Sequence, residues 1–170
     1  SKATTIAYVK GRALSAAALV AISCHRIYME PGSQMGAATP IMLMGGSVQA
    51  AEAKYVSAFR AEFKGAAEAR KRPTALAEAM VDEKHDGIDG LLAPGKILTL
   101  STEDAFKHGY CDYIVSDVST VQRILKLETA TIEIAEPTSA EWLARFLTNP
   151  NVSVLLFTVG FWCLVLEFFI

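Results

Sequence analysis

The sequence predicts an α/β fold, because segments typical of strands alternate with segments typical of helices along most of its 170 residues. The first unit shows the pattern best. Residues 4–9 are β-prone, residues 15–23 form an Ala-rich run with good helix propensity, and residues 26–29 are a second β-prone run. This strand–helix–strand order is typical of a parallel sheet.

An apolar run over residues 152–170 is the second feature that sets the architecture. Its only charged residue is Glu167, and as a helix it would span about 28 Å, close to the hydrocarbon thickness of a bilayer. A buried helix of a globular domain is the alternative. Apolar side chains cover every face of the run, which favours a transmembrane helix that the chain cuts short.

Composition excludes several classes of protein. The chain is 52% hydrophobic and 20% charged, so it can bury a core, and its net charge of −2 gives no basic surface for nucleic acid. Three widely separated cysteines indicate neither a disulfide framework nor a zinc site. We therefore expect no nucleic acid, no metal and no cofactor.

Ser15 is the first candidate for chemistry, since it lies near the first turn of the predicted helix, after Gly11. A hydroxyl there neighbours unpaired backbone N–H groups and the positive end of the helix dipole, where an oxyanion is stabilised. The same position suits an ordinary N-cap, and spacing alone does not decide between the two.

Lys54 is the second candidate, near the start of a long helix predicted over residues 50–71. Small alanines surround it on the helix surface, and burial among apolar groups lowers the pKa of a lysine toward working pH. A solvated surface lysine is the alternative. The buried stripe of this helix is expected to contain Tyr55, Val56, Phe59, Phe63, Ala66 and Ala67.

Between the two candidates lies an apolar segment, followed by Gly45 and Gly46. Its residues are Ile41, Met42, Leu43 and Met44. Methionines fill core gaps, and they also form adaptable binding walls. The segment is therefore either core or a wall that contacts an apolar peptide.

The remaining elements are predicted in chain order from caps, breakers and periodicity. We expect a helix over residues 74–83, a loop over 86–95, a strand over 97–100, a helix from Ser101 to Gly109 and a strand over 113–115. After these come a helix over 121–127 capped by Ser119, a β-prone stretch over 129–136, and an amphipathic helix over 142–147 started by Thr138 and Glu141.

Several motifs occur in a characteristic order: Gly-Arg-Ala-Leu-Ser-Ala at 11–16, Met-Glu-Pro-Gly-Ser-Gln-Met-Gly-Ala-Ala at 29–38, Lys54, and Asn-Pro at 149–150. Together they resemble the ClpP-class serine peptidases, and more closely the membrane-bound NfeD-type branch. The resemblance implies the ClpP/crotonase-like fold of repeated β-α units. In that family further units, with a Gly-Gly turn that donates one oxyanion N–H, precede the serine, and this chain lacks them.

The resemblance also assigns roles to residues. Ser15 would be the nucleophile, Lys54 its general base, and the backbone N–H of Ala16 an oxyanion donor. The soluble ClpP protease uses Ser-His-Asp, with its histidine at a stretch matching residues 35–38, where this sequence has none. A Ser-Lys dyad is therefore expected. A signal-peptide-peptidase-like enzyme and a non-catalytic membrane scaffold of the same fold stay open.

The predicted organisation is a peptidase domain over residues 1–128, a connector over 129–151 and the transmembrane helix over 152–170. Glu128 and the three glutamates of the connector stand against one Arg, Arg145, which favours the extracytoplasmic side of the membrane. The family resemblance implies apolar, stomatin-like membrane proteins as substrates and partners. We also expect a homo-oligomer.

Overall fold

A computed structural model of the chain describes residues 3–44 and 47–169. The strands are Ile6–Val9 (β1), Arg12–Leu14 (β2), Arg26–Met29 (β3), Gln34–Gly36 (β4), Ile41–Met44 (β5), Ser47–Ala50 (β6), Thr99–Ser101 (β7) and Tyr113–Ile114 (β8). The helices are Ala16–Ser23 (α1), Ala53–Ala69 (α2), Thr74–Ala79 (α3), Thr102–Lys107 (α4), Val118–Ile124 (α5), Ser139–Leu147 (α6) and Pro150–Glu167 (α7).

The predicted parallel sheet is present, and the α/β class is confirmed. Its strand order is β1-β3-β8, and both pairings are parallel. In the first pairing Ile6 lies opposite Arg26 and Val9 opposite Met29. Helix α1 connects β1 and β2 to β3, as expected for a strand–helix–strand crossover.

A second sheet, in the order β2-β4-β7, was not predicted from the sequence. Strand β4 pairs in parallel with β2 and antiparallel with β7. Gly36 ends β4 with a φ of 127°, and a Cβ at this position would lie 2.5 Å from the carbonyl oxygen of Leu98. Only glycine allows this close approach of two backbones.

Strands β5 and β6 form an antiparallel hairpin, in which Ile41 lies opposite Ala50. The sequence predicted a long helix from residue 50, whereas α2 begins at Ala53. The hairpin takes residues 47–50 into strand pairing, and pairing between strands is not visible in helix periodicity.

The main core packs α1, α2, α3 and the two three-stranded sheets around side chains that are almost fully buried. The largest of these include Ile22, Met29, Phe63, Met80 and Leu100. On α2 only part of the predicted stripe is buried. Phe63 and Ala67 are in the core, whereas Tyr55 and Phe59 are 43% and 39% exposed.

Several other helix boundaries also differ from the sequence-based prediction. Helix α3 ends at Ala79, four residues early, and α5 begins at Val118 because Asp117 caps it by accepting a hydrogen bond from the Thr120 amide. Helix α6 begins at Ser139, and α7 covers Pro150–Glu167 with Asn149 as its cap. Residues 129–136 form no strand, because no neighbouring strand pairs with them.

The chain divides into two compact units, Ser1–Glu128 and Thr129–Ile170. The second unit contains α6 and α7. Among the described residues, α7 is the one helix that is long and apolar enough to cross a membrane. A capping box formed by Thr138 and Glu141 starts α6, as the sequence predicted.

Candidate functional site

Ser15 has an unusual backbone conformation for a residue with a side chain. Its φ is 57° and its ψ is −127°, a region that favours glycine. The Ser15 amide donates a hydrogen bond of 3.0 Å to the carbonyl of Gly36, which fixes the turn between β2 and α1. The strained turn resembles the elbow that presents the nucleophile in many hydrolases.

The hydroxyl of Ser15 is not used as a helix cap. Ser15 is the N-cap residue of α1 by position, but its side chain makes no capping hydrogen bond and the residue is exposed. The Ser15 side chain therefore does not have the ordinary role of an N-cap, which was the alternative considered from the sequence. Its hydroxyl is free to act on a ligand.

The amides of Ala16 and Ala17 open α1 immediately after Ser15. The first amides of a helix have no intrahelical carbonyl partner, and the helix dipole is positive at this end. Backbone N–H groups at such a position can stabilise an oxyanion. The sequence had named Ala16 for this role.

A cavity of about 460 Å³ opens beside Ser15. One wall is the segment after β4 together with the start of β5, formed by Ala38, Thr39, Pro40, Ile41 and Met42. The other lining residues are Ala51, which lies just before α2, and Tyr55 and Phe59 on α2. Tyr55 and Phe59, expected in the core, instead give the cavity two aromatic side chains.

Ile41 and Met42, two of the residues named from the sequence as a possible wall for an apolar peptide, line this cavity. The side chains of Leu43 and Met44, named for the same role, lie outside the described residues, as do Gly45 and Gly46. The mixed apolar and aromatic lining suits an apolar group of a ligand.

Lys54 has surroundings different from the apolar ones expected. Its Nζ lies 2.8 Å from Glu52 Oε2, and both side chains are about two-thirds exposed. The same Nζ lies 5.0 Å from the centroid of the Tyr55 ring. Lys54 is not among the residues that line the cavity. The structure therefore does not bring Lys54 and Ser15 together at this cavity.

Thr39 is a site residue that sequence reasoning missed. Its Oγ1 is buried and has no hydrogen-bond partner in the described part of the chain, which costs about 1–3 kcal/mol for a hydroxyl. Thr39 lines the Ser15 cavity and also a neighbouring one that reaches Arg60 and Asp82. A single threonine between Ala38 and Pro40 carries no motif that would have identified it.

Arg72 was also missed, and it holds the far end of α1. Its Nη1 donates to the carbonyls of Ile22 at 2.9 Å and Cys24 at 3.1 Å. Burial lowers the pKa of this guanidinium, and the nearby Asp112 carboxylate opposes that effect. A cation at a helix C-terminus is favourable, so Arg72 stabilises the helix that begins beside Ser15.

Two of the three histidines have other roles. The Nδ1 of His25 accepts a hydrogen bond from the Thr5 amide, and His85 Nδ1 accepts one from the Gly87 amide. In the described part of the chain no histidine lines the cavity, and no group of three His, Cys, Asp or Glu side chains is arranged to hold a metal.

The sequence profile of the NfeD1b N-terminal domain matches residues 1–135. This chain belongs to the NfeD1b N-terminal domain family. It is 37% identical to membrane protein NfeD1b of Bacillus subtilis (strain 168), over 99% of this chain and 38% of that protein. It is 28% identical to membrane-bound protease PH1510 of Pyrococcus horikoshii, over 99% of this chain and 40% of that protein. The chain thus spans about two fifths of the length of these curated relatives.

Solved structures with the same fold are those of the 1510-N membrane-bound stomatin-specific protease. A serine-to-alanine variant gives a TM-score of 0.58 at 27% identity, covering 69% of this chain and 53% of that one. A lysine-to-alanine variant in complex with a substrate peptide gives 0.62 at 23% identity, covering 84% and 69%. This NfeD1b-family chain therefore has the fold of a protease domain.

Proposed function

We propose that this NfeD1b-family chain is the peptidase portion of a membrane-anchored serine endopeptidase of the ClpP class, with Ser15 as the nucleophile. The observation that carries the proposal is the strained turn at Ser15. In this turn the hydroxyl makes no capping hydrogen bond, and the exposed residue lies beside a cavity. Strained residues of this kind cluster at functional sites. The similarity to PH1510, a membrane-bound protease, supports the same activity.

In the proposed reaction, Ser15 Oγ attacks the carbonyl carbon of a peptide bond, and Lys54 accepts the hydroxyl proton. A lysine acts as a base only when neutral, and Ser-Lys pairs are a known variant of the catalytic triad. The Ala16 N–H would stabilise the oxyanion. The proton then passes to the leaving amine, and water hydrolyses the acyl-enzyme.

This mechanism requires a change at Lys54. The side chain must leave Glu52 and turn into the cavity, past Tyr55. An exposed ion pair is worth only about 0–1 kcal/mol, so the contact with Glu52 is a small barrier to this movement. The solved 1510-N variants replace one serine and one lysine, in the same order along the chain as Ser15 and Lys54, which supports the pairing.

The proposed substrates are apolar segments of membrane-associated, stomatin-like proteins. Ile41, Met42 and the aromatic pair on α2 give the cavity an apolar lining. The 1510-N protease is described as stomatin-specific, which supports this substrate class. We place α7 across the membrane and the peptidase portion on its extracytoplasmic side; a homo-oligomer stays a prediction.

Labelling with a fluorophosphonate probe, together with cleavage of an apolar fluorogenic peptide, tests the proposal on the full chain in lipid vesicles. Ser15→Ala should abolish both labelling and cleavage without loss of fold, since it removes one oxygen. Lys54→Ala should lower cleavage by at least about 10²-fold, the usual effect of losing a general base.

Two matched variants control for the changes. Ser57→Ala removes another exposed serine, on α2, and Lys64→Ala removes an exposed lysine ten positions after Lys54 on the same helix. Both should keep full activity. Cleavage by a folded Ser15→Ala protein would refute the assignment of Ser15 as the nucleophile. Full activity of Lys54→Ala would refute only the assignment of Lys54 as the base.

A scaffold without peptidase activity is the second candidate. The observation that favours it is the pairing of Lys54 with Glu52 outside the cavity. A scaffold would bind an apolar peptide in the cavity with no labelling of Ser15. The same fluorophosphonate experiment, run alongside peptide binding, separates the two functions.

A further inference from the structure

Helix α6 presents a continuous apolar face that no described residue of its unit covers. Trp142, Leu143, Phe146 and Leu147 recur at helical spacing and are 64%, 52%, 46% and 46% exposed. The rings of Trp142 and Phe146 stack, with centroids 5.7 Å apart and planes 3° from parallel. An apolar face with a large aromatic component needs a partner.

The opposite face of α6 is polar and has no net charge. Glu141 and Arg145 lie one turn apart, in the order that favours an i,i+4 pair. Glu141 also completes the capping box, since the Thr138 amide donates to its Oε2 at 2.7 Å. The capping box therefore stabilises the start of the helix.

The position of α6 is tied to that of α7. Only Thr148 and Asn149 separate the two helices, and the Ser153 hydroxyl donates to the Leu147 carbonyl at 2.7 Å. So short a connection spans about 10 Å at most. If α7 crosses the bilayer, as the proposed function assumes, its first turn lies at the membrane surface and the end of α6 lies there too.

We propose that α6 is a membrane-interface helix, which lies flat in the headgroup region with its four apolar side chains toward the acyl chains. Tryptophan is enriched at this depth, where its ring is in apolar surroundings and its N–H is hydrated. Because the polar face is neutral, α6 binds zwitterionic and anionic lipid equally. In this arrangement α6 and α7 together hold the C-terminal part of the connector at the bilayer surface.

Tryptophan fluorescence of the full chain in phosphatidylcholine vesicles tests the proposal. Trp162→Phe leaves Trp142 as the single reporter, and Trp142→Phe leaves Trp162, inside α7. Lipids brominated near the headgroup end of the acyl chain should quench Trp142 at least twofold more than lipids brominated near its terminal methyl. Replacing a third of the lipid by phosphatidylglycerol should not change the result.

Two further variants, made in the Trp162→Phe protein, test the apolar face. Leu143→Glu on the apolar face should abolish lipid quenching of Trp142 and restore access of aqueous iodide. Ala144→Glu, the next residue but on the polar side, should leave quenching unchanged. Equal effects of the two changes would contradict the proposed orientation.

Each other outcome also decides the question. Quenching of Trp162 but not Trp142, with Trp142 accessible to iodide, would show α6 in water and refute the proposal while keeping the anchor. Trp142 shielded from both lipid and iodide would assign the face to protein, including a second copy. If brominated lipid does not quench Trp162, both the membrane anchoring by α7 and the interfacial position of α6 are refuted. None of these results bears on Ser15, so the peptidase proposal stands or falls separately.

Discussion

The conformation of Ser15 costs free energy, and neighbouring residues hold it in place. A non-glycine residue in this region costs about 1–3 kcal/mol, which the rest of the fold must offset. The hydrogen bond from the Ser15 amide to Gly36 couples the turn to the end of β4, and the Ala37 amide in turn bonds the Leu98 carbonyl at 2.9 Å. The geometry of the Ser15 turn therefore depends on Gly36.

Gly36→Ala should destabilise the protein by at least about 2 kcal/mol, because the new Cβ would lie 2.5 Å from a backbone oxygen at an unfavourable φ. Thermal unfolding in mild detergent measures the effect. Gly65→Ala is the matched control. This glycine is in α2 with open space around it, so alanine should stabilise by up to about 1 kcal/mol. If Gly36→Ala leaves the stability unchanged, the close approach of the Gly36 and Leu98 backbones is contradicted.

Met42→Ser tests whether the cavity wall contacts apolar substrate. The loss of apolar contact, worth about 1–2 kcal/mol, should raise KM for an apolar peptide about tenfold and for a polar peptide much less. Val20→Ser, at a 65% exposed position on α1, is the control and should change neither. Equal rises for both peptides would show that Met42 does not select the substrate.

For single residues, sequence reasoning named Ser15 and Ile41, which line one cavity in the structure, but it did not predict the surroundings of Lys54. The partner Glu52 lies two residues earlier, a spacing that helix-face arguments exclude. Glu52 is the N-cap residue with extended backbone, so its side chain does not follow the helical pattern. The partnerless Thr39 hydroxyl arises from packing between distant segments, which no local pattern encodes.

Elements with strong local signals were predicted best. The β1-α1-β3 unit, the Ser101 cap of α4, the Thr138 capping box and α7 all carry caps or periodicity in the sequence, and the structure has each of them. The three-residue strands β2 and β4 are too short to show alternation. Their existence depends on pairing with distant segments, and the β-prone stretch at 129–136 lacks such a partner.

Helix α5 should lose stability in acid through its cap. The Asp117 carboxylate accepts hydrogen bonds from the Ser119 hydroxyl, the Thr120 amide and the Ser116 hydroxyl, which hold its pKa well below the usual range. A carboxyl group with a depressed pKa in the folded state stabilises the fold at pH values above its pKa in the unfolded chain, which is about 4. That contribution is lost as the pH falls from about 4 toward the lower folded value.

Asp117→Asn keeps a good N-cap but removes the titrating group. The variant should therefore show a smaller loss of unfolding free energy between pH 5 and about pH 2 than the parent protein. Urea unfolding at each pH measures this slope. Glu128→Gln, which removes an exposed charge without a capping role, should keep the parent slope, and a parent-like slope for Asp117→Asn would refute the assignment.

At the scale of the molecule, burial is concentrated before residue 129. The main core and a smaller cluster of Tyr28, Val115 and Val121 both lie in the unit Ser1–Glu128. Helices α6 and α7 contain no buried residue. The free energy that folds the first unit is therefore expected from its own side chains, while the second unit, under the proposals above, is expected to need lipid.

A chain that ends after Glu128 should thus unfold cooperatively, with a Tm within a few degrees of the first transition of the full chain in detergent. A loss of about 1 kcal/mol would already lower Tm by several degrees, so differential scanning calorimetry resolves the difference. A chain that ends after Ile114 is the control. It lacks Val115 and Val121, and with them most of the smaller core cluster, and should unfold at a much lower temperature. If the chain ending at Glu128 melts as low as this control, the second unit contributes to the stability of the first, and the division of the chain after residue 128 is wrong.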